Sequence, residues 1–406
     1  MQALKNIRVI DLSHVIAGPT ASHYLAAQGA EIIKVENPGT GDALRHSGKV
    51  SFDAGISASF AAINGGKKSL AIDLKDPALR EALYRLIADA DVFIENFKPG
   101  VVKRLGLDFE TLSGINDNLI YVSISGYGQT GRLSGYGAYD HVVQALTGMM
   151  MLGGEDDSPL KVGFPVIDSA TGMMAAQAIL AALLQREREP GAIRLDVSMA
   201  QSAVQLMLPH VSRVLAQSAD MPRVGNRGFS ESPGASTFQC TDGWISIAAN
   251  TSKQFLTLCE LLGVAHITRD PLLIDQRTMT GKHGFVKAVD SQEVQGIITR
   301  ACLKTSALEL EGSLNEAGVP AARVRSIFGF ITDALTHDMV SLPRQTVAYA
   351  NGNATNFRAG FISNLDTEIE PLRAPALGEH TQSILTGLGF DAHALDALKH
   401  KGSVYF

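Results

Sequence analysis

Apolar positions in the first half of the chain alternate between short continuous runs, typical of buried strands, and segments with helical spacing. The clearest helical segment covers residues 77–90, where Leu79, Leu83 and Leu86 share one face and Pro77 suits the first helical position. The predicted strands are residues 7–12, 31–36, 91–95, 119–125 and 193–197. The predicted helices are a segment ending near residue 27 and residues 77–90, 101–105, 108–115, 169–188 and 199–217. This alternation predicts an α/β fold, with a Rossmann-like parallel sheet covered by helices on both faces.

The pattern changes in the second half of the chain. Residues 219–236 are rich in Gly, Pro and Ser, which is typical of a linker or an active-site loop. Residues 237–249 predict a β-hairpin with Asp242 and Gly243 at the turn. Amphipathic helices then alternate with short strands, and we interpret this part of the chain as a smaller α+β domain.

Composition is ordinary for a packed enzyme, with 406 residues, 45% hydrophobic and 19% charged, and a formal net charge of −6. Because nucleic-acid binding needs a strong basic bias, no nucleic-acid partner is expected. The three cysteines form no C-x-x-C pair and the eleven histidines form no ligand motif, so neither disulfides nor a metal site are predicted. The N-terminus has no signal-peptide pattern, and no uninterrupted apolar run approaches the ~18 residues of a membrane helix. We therefore expect a cytoplasmic protein without membrane contact.

A glycine pattern follows the strand predicted at residues 119–125. Gly126, Gly128 and Gly131 fit G-x-G-x-x-G, the pattern of dinucleotide-binding turns. That function needs the first strand of the sheet and a helix that begins at the third glycine, whereas this is the fourth predicted strand and no helix is expected before about Asp140. Glu36, at the end of the second strand, is a weak candidate for a ribose ligand. We interpret the glycines as turn residues with positive φ.

Asp168 stands directly before the long helix predicted at residues 169–188. Its spacing favours a structural interpretation, because Asp is a preferred N-cap residue. A second interpretation is catalytic: the helix dipole would keep the carboxylate ionised, and such a carboxylate can attack an activated acyl group. Ser169, Ala170 and Gly172 are small and would leave room for a substrate. The residues alone leave both interpretations open.

Nine segments follow one another along nearly the whole chain: IRVIDLSHVIAGP, GAEIIKVENPGTGD, NGGKKSLAIDLK, ADVFIENFKPGVVKRLGLDFETL, LIYVSISGYGQTG, AYDHVVQALTGMM, PVIDSATGM, LDVSMAQSAV and APALGEHT. Together they resemble the class III CoA transferases, the formyl-CoA transferase and CaiB/BaiF type. Each segment alone is weakly specific, but the nine together are highly specific.

The resemblance implies a role for particular residues. Asp168 matches the family's single catalytic nucleophile. The residues implied in coenzyme A binding are Val15, Ile16, Ala17, Asn37, Ile72, Lys75, Asn96, Phe97 and Arg104. The residues implied in the vicinity of the substrate are His14, Tyr139, Asp140 and Met199. The chain departs from the family at Asn37, where many members have Arg, and at Ile16, where some have Gln, so formyl and oxalyl groups are less expected as the transferred pair.

The implied activity is transfer of coenzyme A from an acyl-CoA donor to a carboxylic acid. The sequence does not identify the acceptor, for which a small carboxylic acid or a C4–C5 dicarboxylic acid is the working hypothesis. The implied intermediates are an aspartyl anhydride and an aspartyl-CoA thioester, with coenzyme A as a substrate and no prosthetic group. The resemblance also implies an interlocked homodimer. Residues 1–218 would form the N-terminal part of the large domain, residues 219–330 a linker and small domain, and residues 331–406 a return to the large domain. Residues 225–236 are a candidate lid.

Two alternatives remain at this level. α-Methylacyl-CoA racemases share the fold and use a His–Asp pair, but their His would align with Tyr139, and a tyrosine with a pKa near ~10 is a poor proton shuttle at neutral pH. His141 lies two residues further on. A non-catalytic acyl-CoA-binding protein is the alternative of another class, if Asp168 is only a helix cap.

Overall fold

The computed structural model describes residues 1–154, 158–280, 284–357, 360–365 and 371–406. The chain divides into two compact units. The large unit comprises residues 1–149, 161–219 and 342–406, and the small unit comprises residues 150–160 and 220–341.

The strands and helices of both units are numbered in chain order. The strands are β1 (Arg8–Asp11), β2 (Glu31–Glu36), β3 (Ser51–Asp53), β4 (Ile56–Ser57), β5 (Lys68–Ile72), β6 (Val92–Glu95), β7 (Ile120–Ser125), β8 (Ile193–Ser198), β9 (Gly234–Cys240), β10 (Gly243–Ala249), β11 (Ala321–Arg323), β12 (Arg344–Tyr349), β13 (Gly352–Phe357) and β14 (Val404–Tyr405). The helices are α1 (Ala17–Ala26), α2 (Ala58–Asn64), α3 (Pro77–Ala88), α4 (Val101–Arg104), α5 (Phe109–Ser113), α6 (Asp140–Leu146), α7 (Val166–Arg188), α8 (Met199–Leu206), α9 (Leu208–Gln217), α10 (Ser252–Leu261), α11 (Ser291–Cys302), α12 (Ala307–Glu316), α13 (Ile327–His337), α14 (Thr381–Gly387) and α15 (Ala392–His400). Short 3-10 helices cover Ala43–His46, Met149–Met151, Ala265–Arg269 and Thr278–Thr280.

A seven-stranded sheet organises the large unit, in the order β14-β5-β2-β1-β6-β7-β8. All neighbouring strands are parallel except the edge strand β14, which runs antiparallel to β5. Successive residues of β1 face opposite cores, Val9 the one containing α1 and α7 and Ile10 the one containing α3. The mostly parallel α/β sheet predicted from the sequence is confirmed. The strand order reverses direction between β1 and β6, which in such sheets is where a ligand crevice opens.

The long helix α7 packs closely against α1. A Cβ atom added at Gly172 would lie 2.6 Å from Thr20 Cβ and 2.7 Å from the Ala17 carbonyl oxygen, so glycine is required for this approach. Within the described residues, α7 is long and apolar enough to cross a membrane by length and composition, with a mean hydropathy of 1.5 over 18 residues. Half of that stretch is buried, with Ala175 and Ile179 in the core under the sheet, so α7 is a core helix of this unit.

Several elements differ from the sequence prediction. Strand β5 was not predicted, so the strand before the glycine pattern is the fifth of the sheet in chain order and not the fourth. The helix predicted at residues 199–217 is divided into α8 and α9, because Pro209 lacks the N–H that a continuous helix would need. Helix α7 begins at Val166, three residues before the predicted start.

The small unit is built on the predicted hairpin. β9 and β10 pair antiparallel with Cys240 opposite Gly243, and β11 adds to the other side of β10. Gly243 has a φ of +145°, which a side chain would disfavour, and this explains the glycine at the turn. Helices α10, α11 and α12 cover the sheet, and the unit's core includes Phe255 and Ile298.

Candidate active site

A cavity of about 320 Å³ opens at the carboxyl ends of β1, β6, β7 and β8. This is the edge where loops from parallel strands converge on a ligand. Nine of the residues implied by the resemblance line it: His14, Val15, Ile16, Ala17, Asn96, Phe97, Tyr139, Asp168 and Met199. The structure therefore brings together residues that are up to 185 positions apart in sequence.

The loop between β1 and α1 is held in an unusual backbone conformation. Val15 has a φ of +68°, a left-handed value that costs a β-branched residue about 1–3 kcal/mol. Its N–H donates to both carboxylate oxygens of Asp42, at 3.1 and 3.2 Å. On the other side of the loop, Asn96 Oδ1 accepts from the His14 N–H at 2.9 Å, and Asn96 Nδ2 donates to the His14 carbonyl at 2.8 Å. Asn96 thus holds the loop with both ends of its amide.

Two fully buried charged residues, Lys34 and Asp42, stabilise this loop. Lys34 Nζ lies 2.9 Å from Asp42 Oδ2 and donates to the Ser13 carbonyl at 2.6 Å. Burial would raise the pKa of Asp42, but the Lys34 charge and the backbone donors hold that pKa below its usual value. Asp42 therefore fixes Val15 as a carboxylate, and sequence reasoning missed it. The signal available was its N-cap position, where its Oδ1 accepts from the Leu44 N–H at 2.9 Å.

Glu36 is a structural residue. Its carboxylate forms a two-point ion pair with Arg45, at 2.7 Å from Nε and 2.6 Å from Nη2. Ser69 Oγ and the Asp42 N–H donate to the same carboxylate, at 2.7 and 3.0 Å. With both oxygens occupied and the side chain buried, the interpretation of Glu36 as a ribose ligand is wrong.

Asp168 is the third residue of α7, and its side chain does not cap the helix. The cap comes from another helix: Asp140 Oδ2 accepts from the N–H groups of Ile167 and Asp168, at 2.7 and 3.1 Å. Over the described part of the chain, no donor is hydrogen-bonded to the Asp168 carboxylate. The interpretation of Asp168 as an N-cap residue is therefore wrong, and its carboxylate is left free at the cavity wall.

Burial and, secondly, the charge of Asp140 raise the pKa of Asp168 to about 6. Desolvation and a like charge therefore outweigh any lowering of this pKa by the helix dipole. With a pKa of about 6, roughly nine-tenths of the carboxylate is ionised at pH 7. A desolvated carboxylate of raised basicity is a competent nucleophile towards an acyl carbon.

Tyr139 lies at the mouth of the cavity with 71% of its surface exposed. Its ring is stacked near His141 at a centroid distance of 6.4 Å, and His141 is also exposed. Met199 is buried at the start of α8 and reaches the cavity wall. Among the described residues that line this cavity, the histidine is His14, and its imidazole packs edge-on against Phe97.

Five residues implied by the resemblance lie outside the cavity lining. Asn37 is exposed and accepts from the Gly39 N–H at 2.9 Å, so it shapes its own turn. Ile72 is buried in β5, opposite Val404. Lys75 and Arg104 are exposed cations, and Asp140 is buried under α7. Their roles in binding coenzyme A or substrate stay predictions.

The glycine pattern is a turn and not a dinucleotide site. Gly128 and Gly131 have φ values of +89° and +93°, as expected for turn glycines. Gly126 serves a close approach instead, because a Cβ there would lie 2.1 Å from Ala138 Cβ. The following helix α6 begins at Asp140, nine residues after the third glycine, which confirms the predicted absence of a helix at that glycine.

Comparisons with known proteins identify the family to which the chain is similar. The model of CoA-transferase family III matches residues 4–381. A mouse protein named succinyl-CoA:glutarate CoA-transferase is 32% identical, over 100% of this chain and 91% of its own length. A succinate–glutarate CoA-transferase of Agrobacterium fabrum is 33% identical over 95% of both chains. The crystal structure of a CaiB/BaiF family protein from Brucella suis superposes with a TM-score of 0.81 and 28% identity, covering 95% of this chain and 99% of the other.

Proposed function

The chain belongs to CoA-transferase family III and is a CoA transferase, and we propose that it transfers coenzyme A to a small dicarboxylic acid through covalent intermediates on Asp168. The acyl-CoA enters as a substrate and not as a prosthetic group. Two of the relatives are named for transfer between succinyl and glutarate groups, which supports a C4–C5 dicarboxylic acid as donor or acceptor.

The observation that carries the mechanism is the free, basic carboxylate of Asp168 at the wall of the cavity. It attacks the thioester carbonyl of the donor, the C–S bond breaks, and coenzyme A leaves as a thiolate from the mixed anhydride. The thiolate then attacks the Asp168 carbonyl of that anhydride, releases the donor acid as a carboxylate and forms an aspartyl-CoA thioester. The thioester energy is conserved at each step, so no water or metal is required.

The second half of the reaction reverses these steps with the acceptor. The acceptor carboxylate attacks the aspartyl-CoA carbonyl and expels the thiolate, which gives a second anhydride. The thiolate attacks the acceptor's acyl carbon, and Asp168 leaves as the free carboxylate. Water must be excluded from both anhydrides, and the partial burial of Asp168 in a cavity that the loops after β1 and β6 also line supports such exclusion.

We place the pantetheine arm of coenzyme A along the loop of residues 14–17 and beside Phe97, where the cavity lining includes the apolar side chains of Val15, Ile16 and Phe97. The phosphates of coenzyme A need cationic partners. Lys75 and Arg104 are exposed cations on the elements that follow β5 and β6, and each has no ion pair among the described residues. Neither lines the cavity, which fits a role in holding the distant nucleotide end of the ligand.

We also propose a homodimer, interlocked as the resemblance implies. Helix α9 of the large unit has no buried residue, and Leu215 on it is 73% exposed. In the small unit, Ile327 and Phe328 of α13 are 85% and 82% exposed. Exposed large apolar side chains such as these support, within each unit, a surface that a partner subunit covers.

The experiment incubates the protein with succinyl-CoA and a panel of mono- and dicarboxylic acids, and follows the masses of the CoA thioesters. We expect transfer to C4–C5 dicarboxylic acids and labelling of Asp168 when hydroxylamine or borohydride traps the donor-treated enzyme. Asp168→Asn should lower the rate by about 1,000-fold or more. Persistent transfer by Asp168→Ala would exclude this mechanism, and proton exchange at Cα without transfer would favour a racemase.

A further inference from the structure

Gln144 is a polar side chain on α6 that is 1% exposed and has no part in the mechanism above. Its Nε2 donates to Asp140 Oδ1 at 2.5 Å, and its Oε1 accepts from the Val162 N–H at 2.9 Å. One amide therefore joins α6 to the segment that leads into α7.

The other oxygen of Asp140 reaches the backbone of the nucleophile itself. Asp140 Oδ2 accepts from the N–H groups of Ile167 and Asp168, so the two oxygens of one carboxylate connect Gln144 with the first turn of α7. Both ends of residues 162–168 are consequently tied to α6. Asp140 contacts no cation among the described residues, and hydrogen bonds are what compensate its buried charge.

We propose that Gln144 is a positioning residue of the transferase reaction, whose amide fixes the Asp140 carboxylate and thereby the place where Asp168 meets the thioester. The inference rests on the proposed role of Asp168 as the nucleophile. Attack on an acyl carbon depends on near-attack geometry, and a displacement of about 1 Å can cost ~100-fold in rate. Without the Gln144 donor, Asp140 Oδ1 is left buried and unpaired, so the carboxylate is no longer held in one orientation against the N–H groups of α7.

The charged groups around Gln144 are few, so a substitution there acts through Asp140. Asp140 on α6 and Asp168 on α7 are the carboxylates of this hydrogen-bonded chain. His141 on α6 and Lys161 next to Val162 are both exposed. Helix α8, which packs against α6 and α7, has no ionisable residue in its sequence.

The first test is Gln144→Met, which keeps the length of the side chain and removes its donor and acceptor. We expect kcat and the rate of hydroxylamine trapping at Asp168 to fall about ten-fold or more, with KM for the acyl-CoA changed less than about three-fold. Gln177→Met is the matched control, because Gln177 is exposed on α7, and it should behave as the unaltered protein. Unchanged kcat and trapping rate in folded Gln144→Met would overturn the inference.

The second test, Gln144→Glu, decides the question if the Met variant does not fold. The introduced carboxyl group still donates to Asp140 when it is protonated, whereas its ionised form has no donor and adds a like charge. The rate of this variant relative to the unaltered protein should therefore fall as pH rises from about 5.5 to about 8, which a purely structural role would not produce. A ratio independent of pH would contradict the inference. Failure of the proposed function looks different, because the unaltered protein itself would then show no label at Asp168.

Discussion

Gly172→Ala tests the contact between the helix that bears the nucleophile and the helix that follows the loop at residues 14–16. In an exposed helix, Gly→Ala stabilises by about 1 kcal/mol. At Gly172 the new Cβ would lie 2.6 Å from Thr20 Cβ and 2.7 Å from the Ala17 carbonyl oxygen. Real Cβ atoms do not approach so closely, and backbone cannot swing aside as a long side chain can. Overpacking of this kind costs about 1–3 kcal/mol or more, which exceeds the gain in helix propensity.

The expected net effect is a destabilisation of up to about 2 kcal/mol, together with lower activity. Gly172 lies one turn after Asp168 on α7, and Ala17 lines the cavity, so separating α1 from α7 moves the nucleophile away from the loop. Urea unfolding followed by circular dichroism measures stability, and CoA exchange measures kcat and KM. The matched control is Gly312→Ala on α12, where nothing lies within 4 Å of the new Cβ, and it should stabilise. Equal stabilisation by both substitutions would refute the close packing of α1 on α7.

Two further predictions concern ionised groups. Because burial and Asp140 raise the pKa of Asp168 to about 6, the reactive carboxylate is lost as pH falls through that value, and the rate constant should rise with pH around pH 6. Asp140→Asn removes the neighbouring charge, so the same rise in rate should occur at lower pH. A pH–rate profile unchanged by Asp140→Asn would mean that ionisation of Asp168 does not control the rate. Asp42→Asn leaves the buried Lys34 without its ionic partner at 2.9 Å and weakens the acceptor for the Val15 N–H. Thermal unfolding should therefore show a free energy of unfolding lower by about 3 kcal/mol, and KM for acyl-CoA should rise. Since the pKa of Asp42 lies below its usual value, the unaltered protein should also lose this stabilisation in acid, as pH falls through the lowered pKa.

The sheet could be predicted from the sequence because its strands are short apolar runs separated by helical spacing. Strand β5 was missed because its first residues, Lys68 and Ser69, are polar, and the burial of Ser69 depends on partners far away in the chain. Ser69 Oγ donates to Glu36, and the Ala71 N–H donates to Thr381 Oγ1. No pattern in the neighbouring residues predicts such contacts. A buried parallel strand between two helices can be predicted, because it is a short apolar run in the sequence.

The meeting of residues 14–17, 96–97, 139 and 168 follows from one rule, that the carboxyl ends of parallel strands share an edge. The part that could not be predicted is the contact between α6 and α7, which depends on how two helices 20 residues apart are packed. An Asp140–Gln144 pair at i, i+4 is visible in the sequence. What the sequence does not show is that the other Asp140 oxygen serves a different helix.

The choice between helix cap and nucleophile at Asp168 is decided by which carboxylate meets the free N–H groups of α7. A capping carboxylate uses its lone pairs on backbone donors, which lowers its pKa and its nucleophilicity together. Asp140 takes that role from outside the helix, and so Asp168 can sit in the first turn with its oxygens free. The same arrangement places a negative charge beside Asp168 and raises its pKa to about 6, which keeps the carboxylate basic but still mostly ionised at pH 7. In this structure the free carboxylate of Asp168 depends on a second carboxylate, and the pair has to be considered as one unit when either residue is changed.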